Sequence, residues 1–156
     1  SIQVSSKDSP VLRAFMPNLD TPYNQWARDA NEILDKSKQQ YNLVKNKPLE
    51  FKGFSDDKKR KYEIGYNIYK ATLSLRKALD EQKTNKYAIF ERAEREGSKI
   101  EEALQKGSIT KKSALIRKKV FLKNMQGKLE KINNREKEIY KKIKEVDTKY
   151  KNKNPR

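Results

Sequence analysis

Between Thr110 and Tyr150 one line of positions recurs at steps of three and four: Leu115, Lys118, Leu122, Met125, Leu129, Ile132, Glu136, Ile139, Ile143, Val146 and Tyr150. This is an unbroken heptad repeat with mostly apolar a and d positions. A spacing of ~3.5 residues keeps one seam on one side of a helix, where it can lie along a partner helix. No proline interrupts the run, and Gly127 is its only glycine. The pattern predicts one continuous helix ~60 Å long, at ~1.5 Å of rise per residue. Glu136 falls at an a position, where a polar residue fixes register at some cost in stability. Lys118 falls at d and marks a stretch where the seam is partly exposed.

A second seam runs through Ile68, Ala71, Leu75, Leu79, Gln82, Lys86, Ile89 and Ala93, and no proline occurs from Asp56 to Lys106. The polar patch Asp80 to Lys86 contains Thr84-Asn85 and could be a turn. The register is unchanged across it, so the pattern favours one long helix. Gly107-Ser108-Ile109-Thr110 is the sharpest break in the chain. Gly107 suits a left-handed helix end and Thr110 suits the next N-cap. A connection this short predicts antiparallel neighbours.

Upstream, Thr21-Pro22 opens a helix over about 22–45 with Tyr23, Trp26, Ala27, Ala30, Ile33, Leu34, Ser37, Tyr41 and Val44 on one face. Trp26 reads as a core anchor. Asn46 to Phe54 reads as a turn, punctuated by Pro48 and Gly53, with Phe51 and Phe54 folding back. Ser55 then caps the next helix. Ser9-Pro10 could open one short helix carrying Val11, Leu12, Phe15 and Met16, stopped by Pro17. That segment either plugs one end of a bundle or docks on another protein.

The architecture expected is all-α: an elongated antiparallel helical hairpin or coiled coil with a third, N-terminal helix packed alongside, bundle-like with three or four helices. Residues 1–20 form an N-terminal segment, 21–150 a single helical domain and 151–156 a basic tail. Apolar residues make up 34% of the chain and charged residues 38%. This suits slim helices with one apolar stripe each rather than a thick core.

Charge changes the picture most. Lys and Arg number 38 and Asp and Glu 21, a net of +17. Residues 108–156 hold 17 cations and 5 acids, net +12. Lys128, Arg135, Lys142 and Lys149 fall at g positions beside the seam, where charges normally answer a partner helix. Glu91, Glu94, Glu101 and Glu102 of the preceding helix could meet the early cations. Lys137, Lys141, Lys144, Lys151 and Lys153 leave an unbalanced basic end. Lys128, Arg135, Lys137, Lys141, Lys142, Lys144 and Lys149 are therefore the candidate anion- or partner-binding residues, with Val11, Leu12, Phe15 and Met16 as a candidate docking segment.

The chain has no Cys and no His. Thiolate chemistry, imidazole catalysis and His or Cys metal sites are excluded, and no catalytic, metal or cofactor residue is assigned. Nothing marks a carboxylate pair as buried or matched with a base, so an enzyme is not expected. The aromatic residues lie mostly on helical stripes, apart from Tyr66 and Tyr140, which look too isolated to make a stacking platform. No stretch approaches the ~20 apolar residues of a membrane span, and no signal peptide is evident, so a soluble chain is expected.

The function expected is a non-catalytic helical interaction module, part of a larger protein, binding a protein partner through its basic surface. One alternative is nucleic-acid binding through phosphate contacts; Lys outnumbers Arg, which disfavours reading of bases. A second is an anionic membrane surface, weakened by the lack of a strongly apolar exposed face with Trp or Phe beside the basic one. Homo-oligomerisation through the heptad seam is a further possibility.

Overall fold

In a computed structural model of the chain, described over residues 21–151, four helices follow one another: α1 (Tyr23–Asn46), α2 (Pro48–Lys52), α3 (Asp56–Gln105) and α4 (Lys111–Lys151). The described residues contain no strand, and the fold is all-α and bundle-like. The polar patch at 80–86 is helical throughout, so α3 is a single helix. The expected helix ends are present. The backbone N–H of Lys58 bonds to Ser55 Oγ at 3.3 Å, and that of Ser113 to Thr110 Oγ1 at 3.1 Å. Gly107 has φ +71°, a conformation open to glycine at little cost. The segment read as a turn after α1 contains α2, whose Pro48 sits in the first helical turn; none of its residues is buried, and Leu49 is 82% exposed.

Packing divides the described residues into two units, 21–23 with 81–136 and 24–80 with 137–151. In the first, the end of α3 and the start of α4 form an antiparallel hairpin through the turn at Gly107. Its core is Phe90, Ala93, Leu122, Met125 and Leu129, with Tyr87, Ile89 and Phe121 packed against it. Ile100, Ala114 and Ile132 are also buried.

The second unit combines α1 from Asn24 onward, α2, the first half of α3 and the end of α4. Ala27, Ala30, Ile68, Leu79, Ile143 and Val146 are buried, together with Ser37 and Thr72. The small residues let helices approach closely. A Cβ on Gly65 of α3 would lie 2.6 Å from Cβ and Cγ of Gln40 on α1. Aromatic pairs fill the wider gaps. Trp26 stacks on Tyr140 with centroids 4.8 Å apart, and Tyr41 stacks on both Tyr66 and Tyr69. Phe54 packs on Phe51 and on Tyr62, so these aromatics do fold back onto the start of α3.

Three expectations need correction. Leu115 is 60% exposed, and Ala114 takes the seam position instead, at 5%. Ile139 is only half-buried, as is Tyr140 beside it, between the buried Glu136 and Ile143. A straight helix turns ~20° per heptad away from a strict 3.5-residue repeat, which carries Leu115, at the start of the seam, towards its flank. Tyr66 and Tyr140 are not isolated, because each stacks on an aromatic ring of α1.

Candidate interaction surface

The seven candidate cations all lie on α4 and all are exposed. Lys128 and Arg135 belong to the first unit. With Lys131 they line an open groove of about 350 Å³ whose floor includes Ala88, Ile89 and Ile132. Lys137, Lys141, Lys142, Lys144 and Lys149 belong to the second unit. Among the described residues no carboxylate lies within 4.0 Å of any of these five ammonium groups. Lys144 lies over the Tyr140 ring at 5.6 Å and Lys149 over the Tyr150 ring at 5.5 Å, where the ring face attracts a cation. Lys151 reaches Asp147 at 4.0 Å, one turn back. The acids expected to answer early α4 cations are partly engaged on α3 itself, Glu91 with Arg95 and Glu102 with Lys106. Val11, Leu12, Phe15 and Met16 lie outside the described residues, as do residues 152–156.

Sequence reasoning missed a second cationic group. Lys36 of α1, Lys61 of α3 and Lys151 of α4 line a pocket of about 290 Å³ with Ser37, Gln40 and Asp147. These three lysines are far apart in sequence and belong to no seam, so only the packing of three helices reveals them.

The first unit also holds a buried polar layer made of Thr21, Gln82, Lys86, Asn133 and Glu136, none more than 8% exposed. Lys86 Nζ lies 2.6 Å from Glu136 Oε1 and donates to Thr21 Oγ1 at 3.1 Å. The Thr21 hydroxyl donates in turn to Glu136 Oε1 at 2.9 Å. Three groups from α3, α4 and the entry to α1 thus close one ring of charge-assisted bonds. Glu136 Oε2 and Gln82 Oε1 are buried with no hydrogen-bond partner among the described residues. The signal for the pair was present in the sequence. Both residues interrupt an apolar seam, and a hairpin turning at Gly107 brings them to a similar level.

In the second unit the Tyr140 hydroxyl donates to Asp29 Oδ2 at 2.7 Å. That bond, together with burial and the carboxylate charge, raises the phenol pKa above its usual 10.0. No described helix is long and apolar enough to cross a membrane. Comparison with models of known families, with characterised proteins and with solved structures finds no match to this chain.

Proposed function

We propose that the protein is a non-catalytic helical interaction module that holds an acidic protein partner on the exposed cations of α4. The observation that carries this reading is the group Lys137, Lys141, Lys142, Lys144 and Lys149, five exposed ammonium groups with no carboxylate within 4.0 Å among the described residues. A lysine left unpaired in the interior is costly, so these cations, on more than one side of the helix, are placed for water or for an anion. Lysines act as adaptable point charges, which suits a carboxylate-rich surface without a fixed planar geometry. The non-catalytic reading rests on a sequence without His or Cys and without a nucleophile matched to a base.

The test is binding of the full chain to an acidic protein domain, and separately to DNA and RNA, across a salt series. Changing Lys137, Lys141, Lys142 and Lys144 together to Gln should weaken binding and flatten its salt dependence while leaving helicity intact. Unchanged binding by the quadruple variant overturns the reading. Binding to DNA or RNA but not to acidic protein replaces the protein partner with phosphate contacts.

A further inference from the structure

The outward face of the first three turns of α4 combines two properties that the seam pattern does not show. Residues 111–123 contain Lys111, Lys112, Arg117, Lys118, Lys119 and Lys123 and no acid; the first acid on α4 is Glu130. All six cations are exposed except the half-buried Lys118. Among them stand Leu115, Ile116 and Val120, 60%, 54% and 64% exposed. Ile116 and Val120 are one turn apart, with Lys112 and Lys123 on the same side of the helix and the buried Ala114, Leu122 and Met125 on the other. Beside them, Ile100 and Phe121 floor an open apolar groove of about 460 Å³. The preceding turn adds half-buried Ile109. Of the acids at this end of α3, Glu96 engages Lys99 and Glu102 engages Lys106, while Glu101 is exposed.

We infer that this tip of the α3–α4 hairpin, residues 109–123, docks on the surface of a bilayer containing anionic lipid. The chemistry selects that occupant. A phosphate backbone would use the cations and have no use for three exposed aliphatic side chains. A second copy of this chain would meet six cations with six of its own. A bilayer interface takes both features, with aliphatic side chains entering the headgroup–acyl boundary while flanking lysines remain among anionic headgroups. Lysine predominates over arginine here, which suits the diffuse potential of a lipid surface. The inference uses other residues than the reading above and stands or falls apart from it.

Sedimentation with vesicles tests it, using phosphatidylcholine alone and phosphatidylcholine mixed with phosphatidylserine. The full chain should sediment with the mixed vesicles and not with the neutral ones, and added salt should release it. Lys112, Lys119 and Lys123 changed together to Gln should lose about a hundredfold in affinity or more. Ile116→Ser with Val120→Ser should lose about tenfold or more, although every cation remains. Both variants change exposed side chains, so far-UV circular dichroism should match wild type. Lys137, Lys141, Lys142 and Lys144 changed to Gln should retain most vesicle binding, which separates this site from the α4 end. Equal sedimentation with neutral and anionic vesicles, or none with either, overturns the inference. Wild-type affinity in the serine double variant also overturns it, because charge alone would then account for binding. So does preference for an acidic polypeptide over anionic vesicles.

Discussion

Removing Lys86 should destabilise the first unit more than its exposed neighbours suggest. Lys86 and Glu136 are 1% and 0% exposed, and Glu136 Oε1 receives both the ammonium and the Thr21 hydroxyl. Lys86→Met fills much the same volume but leaves a buried carboxylate with one hydroxyl and no cation. Breaking one side of a buried pair costs ~3–5 kcal/mol. In a chain of this size that corresponds to a fall in Tm of roughly 10 °C. Thr21→Val removes the hydroxyl that accepts from Lys86 and donates to Glu136 but keeps the charge pair, so it should cost about 1.5–3 kcal/mol or more. Lys86→Met with Glu136→Leu removes both charges together. Its stability should return to that of wild type or exceed it by ~1–4 kcal/mol, because the desolvation cost vanishes with the pair. Urea unfolding followed by far-UV circular dichroism of wild type, Thr21→Val, Lys86→Met, Glu136→Leu and the double variant measures each and gives the coupling between Lys86 and Glu136 directly. The pair is dry, so its contribution should change little with salt. The reasoning fails if Lys86→Met unfolds within about 1 kcal/mol of wild type. It also fails if the double variant is less stable than both single variants.

Three other outcomes follow from local geometry. Gly65→Ala should destabilise by ~1–3 kcal/mol, because the new methyl meets Gln40 Cβ and Cγ at 2.6 Å, whereas Gly127→Ala, in open space on a helix, should stabilise by ~0.5–1 kcal/mol; thermal unfolding of both variants checks the pair. Ile132→Ala should cost ~2–5 kcal/mol and Ile139→Ala clearly less, since Ile132 is 6% exposed and Ile139 half-buried; equal melting temperatures would contradict this. The Tyr140 pKa is raised in the fold, so its contribution is fully present below the unfolded value of about 10 and is lost as pH rises through the folded value. A spectroscopic titration should therefore show Tyr140 ionising above its ordinary value, and Asp29→Asn should lower it.

Much of the fold was legible because a seam needs only one repeating choice, apolar or polar, and α4 keeps that choice for ten turns. The ends of α3 and α4 were legible for a local reason: Ser55, Gly107 and Thr110 each act on backbone within a few residues. What failed was angular. A heptad ruler laid on a straight helix placed Leu115 in the seam, where Ala114 is found. Contacts between helices were hidden for another reason. Trp26 and Tyr140 are more than a hundred residues apart, and neither alone predicts a stack. Lys36, Lys61 and Lys151 each look like ordinary surface charge until three helices bring them to one pocket. Ile116 and Val120 lie off the seam, so a reading that follows the seam passes them by. The candidate cations of α4 were legible as exposed groups, since a lysine off the apolar line has nowhere else to go.

The buried pair also bears on why this chain chooses one register. A heptad seam is nearly self-similar, so α3 could slide along α4 by seven residues and still match apolar with apolar over much of its length. Lys86 and Glu136 remove that freedom. Sliding one way sets Lys86 opposite Leu129, and sliding the other way sets Glu136 opposite Ala93. Each slip places a buried charge against an apolar side chain with no partner, at the cost of several kcal/mol. The native register is the one in which the two charges meet. Thr21 extends the constraint to a third segment, since its hydroxyl bonds to both charges just before α1 begins. Its carbonyl also accepts the backbone N–H of Tyr23, 1% exposed, whose ring lies beneath the Lys83 ammonium. A polar layer therefore does what a stronger apolar seam could not: it distinguishes one alignment of the hairpin from its neighbours and fixes where α1 starts.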